Sequence, residues 1–153
     1  MSNPAPHPTI SIEPDPAESV RAVVLSGLRE YNRLHAPAPR FQPLVLAARE
    51  GDRIIGGLVG EIGWQWLHVD LLWVAESYRR QGIGLQLLKT AEGEARRRGA
   101  RHVFLDTFEF QARGFYEQQG YVVFGKQEDY PPGHTRFYMR RDMSSPDAGL
   151  PDR

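Results

Sequence analysis

The sequence predicts a mixed α/β fold built on one sheet. Three observations carry that expectation. Short apolar or alternating runs have strand character, longer stretches repeat apolar residues at helical spacing, and Gly or Pro punctuates the joins. With 153 residues the chain suffices for one domain with a real core and is too short for two ordinary ones. The expected order is strand, helix, three strands, helix, strand, helix, two strands.

Each element has its own warrant. Residues 1–8 hold three prolines and little apolar content, which suits a flexible tail. "TISIEP" (9–14) alternates as a short strand does. In "PAESVRAVVLSGLREYN", Val20, Val23, Val24, Leu28 and Tyr31 repeat at helical spacing, with Pro16 suited to a first turn. "HAPAPR" (35–40) is a loop. "FQPLVLAAREGDRIIGGLVGEIG" (41–63) reads as two strands joined at "EGD". Gly56, Gly57 and Gly60 lie inside the second, where glycine marks a bulge or a close backbone approach. "WQWLHVDLLWVAE" (64–76) is a long strand, and its apolar run from Leu71 to Val74 predicts cover on both faces.

A helix should follow from about Ile83 to Arg98. Ile83, Leu87, Leu88, Ala91 and Ala95 form its buried stripe, Arg96 to Arg98 complement its dipole, and Gly99 stops it. "HVFLD" (102–106) is a short buried strand and "FQARGFYEQQ" (110–119) a helix. "YVVFGKQ" (121–127) and "TRFYMRR" (135–141) are strands around the turn "EDYPPGH". The domain is expected to span 9–141, with a disordered tail at 142–153.

Composition excludes several function classes. The 19 basic and 19 acidic residues cancel, so no overall field favours nucleic acid or an anionic membrane. The absence of cysteine rules out disulfides, thiolate metal sites and a cysteine nucleophile, and no metal is expected. "MSNPAPHPTI" has no secretory pattern, and no apolar run reaches the length of a membrane span. A cytoplasmic protein is expected.

The stretch "ESYRRQGIGLQLL" (76–88) is the first to suggest chemistry. A P-loop needs Gly-Lys-Ser/Thr, but Gly84 precedes Leu85. The dinucleotide pattern needs a third glycine where Leu87 stands. What remains is a basic turn with Gly82 and Gly84 leading into a helix N-terminus. Such a terminus offers unpaired N–H groups and partial positive charge to an anion. Arg79 and Arg80 add cationic donors suited to phosphate. A plain tight turn that opens a helix would need no more than the glycines, so residues 76–88 by themselves leave both possibilities open.

Here the sequence resembles the GCN5-related N-acetyltransferase (GNAT) superfamily. The acetyl-CoA signature Arg/Gln-x-x-Gly-x-Gly/Ala corresponds to Arg79-Arg80-Gln81-Gly82-Ile83-Gly84. A second element corresponds to Ala112, Phe115, Tyr116, Glu117, Gly120 and Tyr121. The separation and element order agree over roughly 9–141. Members often carry Asn three residues before that Ala, where this chain has Glu109.

The resemblance implies an acyl-CoA N-acyltransferase fold: a twisted, mostly antiparallel sheet with flanking helices and a splayed central strand pair. Backbone N–H groups of Gln81 to Gly84 would hold the pyrophosphate of acetyl-CoA, the co-substrate. The strand ending at Val74 would diverge from 102–106 and expose the edge at Leu72, Trp73 and Val74 to the pantetheine arm, a form of strand addition. Phe115 would line the same slot.

The expected reaction is acetyl transfer to a primary amine. Without cysteine, direct attack in a ternary complex is favoured over an acyl-enzyme. Tyr116 is the candidate general acid, since the family's tyrosine at this position lies near the CoA sulfur. The base candidates are Asp70, His68 and Glu61, or a water chain. Alternation along 64–76 places His68, Asp70, Leu72 and Val74 on one face. Glu128, Asp129 and Tyr130, and the loop residues His35, Arg40 and Phe41, are further acceptor-side candidates. A small-molecule amine is the expected acceptor, with protein Nα or Lys amines as the alternative. A non-catalytic acyl-CoA sensor and a plain nucleotide binder are the competing classes. Dimers are common in the superfamily, so a homodimer is one expected state.

Overall fold

Helical and strand periodicities resolve into three α-helices and six strands in the computed structural model, which describes residues 7–14 and 17–143. The helices are α1 (Glu18–His35), α2 (Ile83–Arg97) and α3 (Arg113–Gln118). The strands are β1 (Gln42–Glu50), β2 (Arg53–Gly63), β3 (Trp66–Val74), β4 (His102–Phe108), β5 (Val122–Glu128) and β6 (Thr135–Asp142). A single 3-10 turn, Glu76–Tyr78, follows β3. Most of the tails expected at 1–8 and 142–153 lies outside the described residues, as does Pro16.

The strand expected at 9–14 does not form. Residues 9–14 are irregular, and Ile10 and Ile12 are fully exposed. Alternation alone cannot make a strand, because its backbone groups need a paired neighbour. The chain divides into two units between Ala38 and Pro39. The first carries α1, an amphipathic helix with no buried residue, in which Val23, Leu28 and Tyr31 are open.

The second unit carries the sheet, in the order β1-β2-β3-β4-β6-β5. Every neighbouring pair is antiparallel except β3 and β4, which run parallel. That one parallel join follows from α2, the crossover between them. It is also short. Trp66 to Val69 pair with His102 to Leu105, and beyond Val69 and Leu105 the two strands have no register. The sheet therefore opens into a fork at its centre.

The core lies on one face. Leu58, Leu67, Leu88, Val103, Leu105 and Met139 are all but inaccessible, and Tyr116 from α3 joins the same cluster. Each such residue contributes about 1.5–3 kcal/mol by leaving water. Cover on both faces, expected for Leu71 to Val74, is not found. Leu72 and Val74 pack against the core, while Leu71 and Trp73 are more than half exposed. β3 is central in the sheet, but within this unit the helices lie against one face only, so every second side chain stays open.

One buried charge ties α2 to the far strands. Glu92 is 0% exposed. Its carboxylate accepts from the Tyr121 hydroxyl at 2.7 Å and from Arg141 Nη2 at 2.6 Å. A carboxylate taken from water is tolerable only with such partners.

Candidate functional site

The fork is built by a local irregularity that strand periodicity cannot show. In the β2–β3 register Val59 faces Leu71 and Gly60 faces Val69, so Asp70 is an extra, unpaired residue in β3. The glycine at 60 is required there: a Cβ would stand 2.5 Å from the His68 carbonyl oxygen. The bulge reverses the alternation. His68 shares a face with its partner Glu61, whereas Leu72 and Val74 pair with Leu58 and Gly56 on the core face. The expectation that His68, Asp70, Leu72 and Val74 face one side is therefore corrected, because the inserted residue shifts the phase by one.

Past the fork, β3 has a free edge. The Ala75 N–H donates to Ile55 on β2 at 2.8 Å. Backbone direction alternates along a strand, so Leu72 and Val74 turn their N–H and C=O groups away from β2, toward the opening. The Val74 carbonyl accepts from Arg79 Nε at 3.0 Å. Arg79 thus fixes the turn to the end of the strand, and Gln81 Nε2 reinforces it by donating to the Ser77 carbonyl at 3.2 Å.

The turn ends in a bare helix terminus. Gly82 is the N-cap of α2 at φ 80 and ψ 3, a left-handed conformation, and no side chain among the described residues caps the helix. Its carbonyl accepts the first helical bond, from Gln86 at 2.9 Å. The N–H groups of the first turn are left to an outside acceptor, in the partial positive field of the terminus. Arg80 is exposed beside them, itself at φ 61.

A cleft of about 780 Å³ runs from this turn to α3. Leu72, Trp73 and Val74 form one wall, and Arg79, Arg80, Gly82, Ile83 and Gly84 form its end. Phe115 and Tyr116 form the opposite wall with Gln111. Gln81, the remaining residue of the expected phosphate grip, lies in the turn without lining the cleft. The volume, the basic end and the uncapped amides fit a long ligand with a phosphate-bearing end.

Tyr116 is held by its surroundings. The Ala112 N–H donates to Thr107 Oγ1 at 3.3 Å, anchoring α3 to β4. The Tyr116 ring meets Phe115 at 5.1 Å and Tyr121 at 5.5 Å between centroids. Burial pushes its hydroxyl pKa up to about 12, and the Asp106 carboxylate adds to the shift. Tyr116 thus keeps its proton throughout the neutral range. Burial, with the Glu92 charge, also raises the Tyr121 hydroxyl.

A second cleft of about 480 Å³ opens on the face away from α2. It contains Glu61 and His68 together with Trp66, Phe104, Phe124 and Arg140. The His68 ring stacks on Phe104 at 4.5 Å and 7°. Asp70, the third base candidate, is exposed at the bulge and lines neither cleft. Phe41 joins the second cleft, edge-on to Trp64 at 5.8 Å, and Arg40 does not. His35 belongs to the first unit, against Tyr31 at 4.5 Å.

The turn at 128–134 uses its own charges. Asp129 Oδ1 accepts from the Gly133 N–H at 2.8 Å, and Glu128 pairs with Lys126 at 2.8 Å. Glu109, in the position where Asn is common, pairs with His134 Nδ1 at 2.7 Å and so ties this turn to the end of β4.

Asp106 escaped the sequence reading. It lies on the face of Phe104, beside the fork, and accepts from Arg136 Nε at 2.8 Å. Alternation in "HVFLD" gives its face, but its partner comes from a strand thirty residues on. Phe104, Trp66, Phe124 and Arg140 escaped for the same reason. Each looks like an ordinary sheet residue until the strand order places them side by side.

Comparison with known proteins agrees with this geometry. The model of the acetyltransferase (GNAT) family matches residues 9–121. Blasticidin-S acetyltransferase of Streptomyces morookaense is 43% identical over 98 residues, 63% of this chain and 72% of that protein. An acetyltransferase of Agrobacterium fabrum is 42% identical over 126 residues, 82% and 91% of the two chains. The crystal structure of an acetyltransferase from Bacillus cereus superposes with a TM-score of 0.79 at 33% identity, covering 87% of this chain and 97% of that one. The forked sheet, the uncapped α2 terminus and these matches lead to one conclusion: the chain belongs to the GNAT family and is an acetyl-CoA-dependent N-acetyltransferase.

Proposed function

We propose that the protein acetylates the primary amine of a small molecule by direct attack in a ternary complex. The observation that carries this reading is the fork itself, with a cofactor-sized cleft on one side and a second, aromatic cleft on the other. Similarity to an enzyme named for acetylating blasticidin S supports a small-molecule acceptor. The absence of cysteine supports direct attack.

In this mechanism the amide groups of the α2 terminus, with Arg79 and Arg80, hold the pyrophosphate. The edge at Leu72 and Val74, whose Val74 carbonyl is already held by Arg79, aligns the pantetheine arm through its remaining backbone groups. Alignment of this kind supplies much of the rate, because two reactants then meet in a fixed geometry. The ammonium first loses a proton to Glu61 or His68, which face the second cleft together, or to water. The amine nitrogen then bonds to the thioester carbon, and the carbon–sulfur bond breaks. The amide sheds its extra proton and the thiolate gains one, giving the N-acetyl product and CoA thiol. Tyr116 donates a hydrogen bond to the sulfur as its charge develops.

The test is a thiol-release assay over a panel of small amines, N-terminal peptides and lysine peptides. Turnover confined to peptides would replace the small-molecule acceptor with a protein one. Release without any amine, unaffected by adding one, would point to hydrolysis and end the proposal.

A further inference from the structure

The second cleft has an order that names its ligand more closely. Register places Glu61 opposite His68, His68 beside Phe104, and Phe104 opposite Arg140. These four residues form one row across β2, β3, β4 and β6, on the face away from α2. A carboxylate stands at one end and a guanidinium at the other. Between them lie two stacked rings, His68 on Phe104. Three strand spacings separate the end strands, about 14 Å of backbone, and both end side chains can lean inward. Trp66 closes one side, with its ring 5.9 Å from Phe104 and edge-on. Arg140 lies over the Phe124 ring at 5.9 Å.

We infer that the acceptor is an amine whose planar aromatic ring separates it from an anionic group. This rests on the acetyl-transfer reading and specifies its substrate class. The ammonium is drawn to Glu61 and His68, of which His68 stands on β3 one residue before the fork where the thioester arrives. The ring lies over the upturned edges of the His68–Phe104 stack, whose faces are turned to each other at 4.5 Å, in the edge-to-face contact that aromatic rings favour. The anion meets Arg140, whose planar fork suits a carboxylate or phosphate. A polyamine fits poorly, since its second cation would face Arg140. An aliphatic amine offers no ring face to those edges.

The test uses the full chain, acetyl-CoA and three probes: para-(aminomethyl)benzoate, benzylamine and (aminomethyl)cyclohexanecarboxylate, with spermidine as the polycationic control. The benzoate should exceed benzylamine and the saturated-ring acid in kcat/KM by about 10-fold each. Arg140→Met should bring the benzoate-to-benzylamine ratio to about one. Phe104→Leu should erase the preference for the flat ring over the saturated one. Preference for spermidine, or a ratio that Arg140→Met leaves intact, overturns the inference while acetyl transfer stands. If acetyl-CoA binds but no probe turns over, calorimetry with CoA and the benzoate decides. Binding that Arg140→Met abolishes upholds the class, and no binding at millimolar concentration overturns it. Failure to bind acetyl-CoA would instead sink the underlying function.

Discussion

Replacing Tyr116 with Phe removes one hydroxyl from a buried wall of the cleft proposed to hold acetyl-CoA, and the structure sets the size of the effect. The residue is 6% exposed and its pKa is pushed up to about 12. An ordinary thiol titrates near 8.5, so complete proton transfer from Tyr116 to a free thiolate is uphill by roughly 3.5 units, about 5 kcal/mol. In the proposed mechanism, hydrogen bonding to the charging sulfur is therefore the dominant contribution, and solvent completes the protonation. A hydrogen bond to a charged group is worth about 1.5–3 kcal/mol, which is about 10- to 150-fold in rate. The assay is kcat for thiol release, with calorimetric binding of acetyl-CoA alongside. Tyr116→Phe should lower kcat within that range and change the acetyl-CoA Kd by less than about 3-fold. The wild-type kcat profile should show no alkaline limb from Tyr116 below a pH of about 11. An unchanged kcat would refute the role. So would a wild-type alkaline limb in the neutral range that Tyr116→Phe removes, since burial would then not be holding the proton.

Three further outcomes follow from the same structure. Gly82→Val should weaken acetyl-CoA binding by about 10-fold or more and cost about 1–2 kcal/mol of stability. The added Cβ meets no atom within 4 Å, so the cause is the left-handed backbone at φ 80, and Gly82→Asn should be milder; equal binding by all three proteins would deny the turn its function. Glu92→Leu should cost about 3–5 kcal/mol in urea unfolding, because it strands the Arg141 guanidinium and the Tyr121 hydroxyl, and Glu92→Gln should cost about 1–2 kcal/mol; a wild-type midpoint for the Leu variant would show that the network holds nothing. Tyr116 also links stability to alkali: its folded pKa lies above the unfolded value of about 10, so its contribution is complete below that pH and falls by about 1.4 kcal/mol per unit until about pH 12. Tyr116→Phe should make that decline in Tm shallower, the raised Tyr121 hydroxyl supplying the remainder, and a parallel decline in both proteins would exclude Tyr116 as a source.

Much of the basic turn at the end of the first cleft was legible because it is local. Arg79, Arg80, Gly82 and Gly84 fall within six residues, and a turn entering a helix is decided by neighbours in the chain. The buried stripe of α2 was legible for the same reason, since helical bonds reach only four residues. The strand at 9–14 was misjudged because a strand depends on a partner the sequence does not name. The face of His68 was misjudged because a single bulged residue, Asp70, inverts the alternation that carries the whole inference. The glycines in β2 hinted at that bulge without giving its register.

By itself, the sequence determined the element order from residue 18 onward, the basic Gly-containing turn and the pairing of two motifs that marks the family. Those depend on bonds and contacts between near neighbours, which a linear pattern records. Tertiary structure alone decided where β3 and β4 part, which side of β3 His68 faces, and that Glu61, His68, Phe104 and Arg140 form one row. Those features are set by strand order and register, and register is a property of two strands together, so neither strand's sequence contains it.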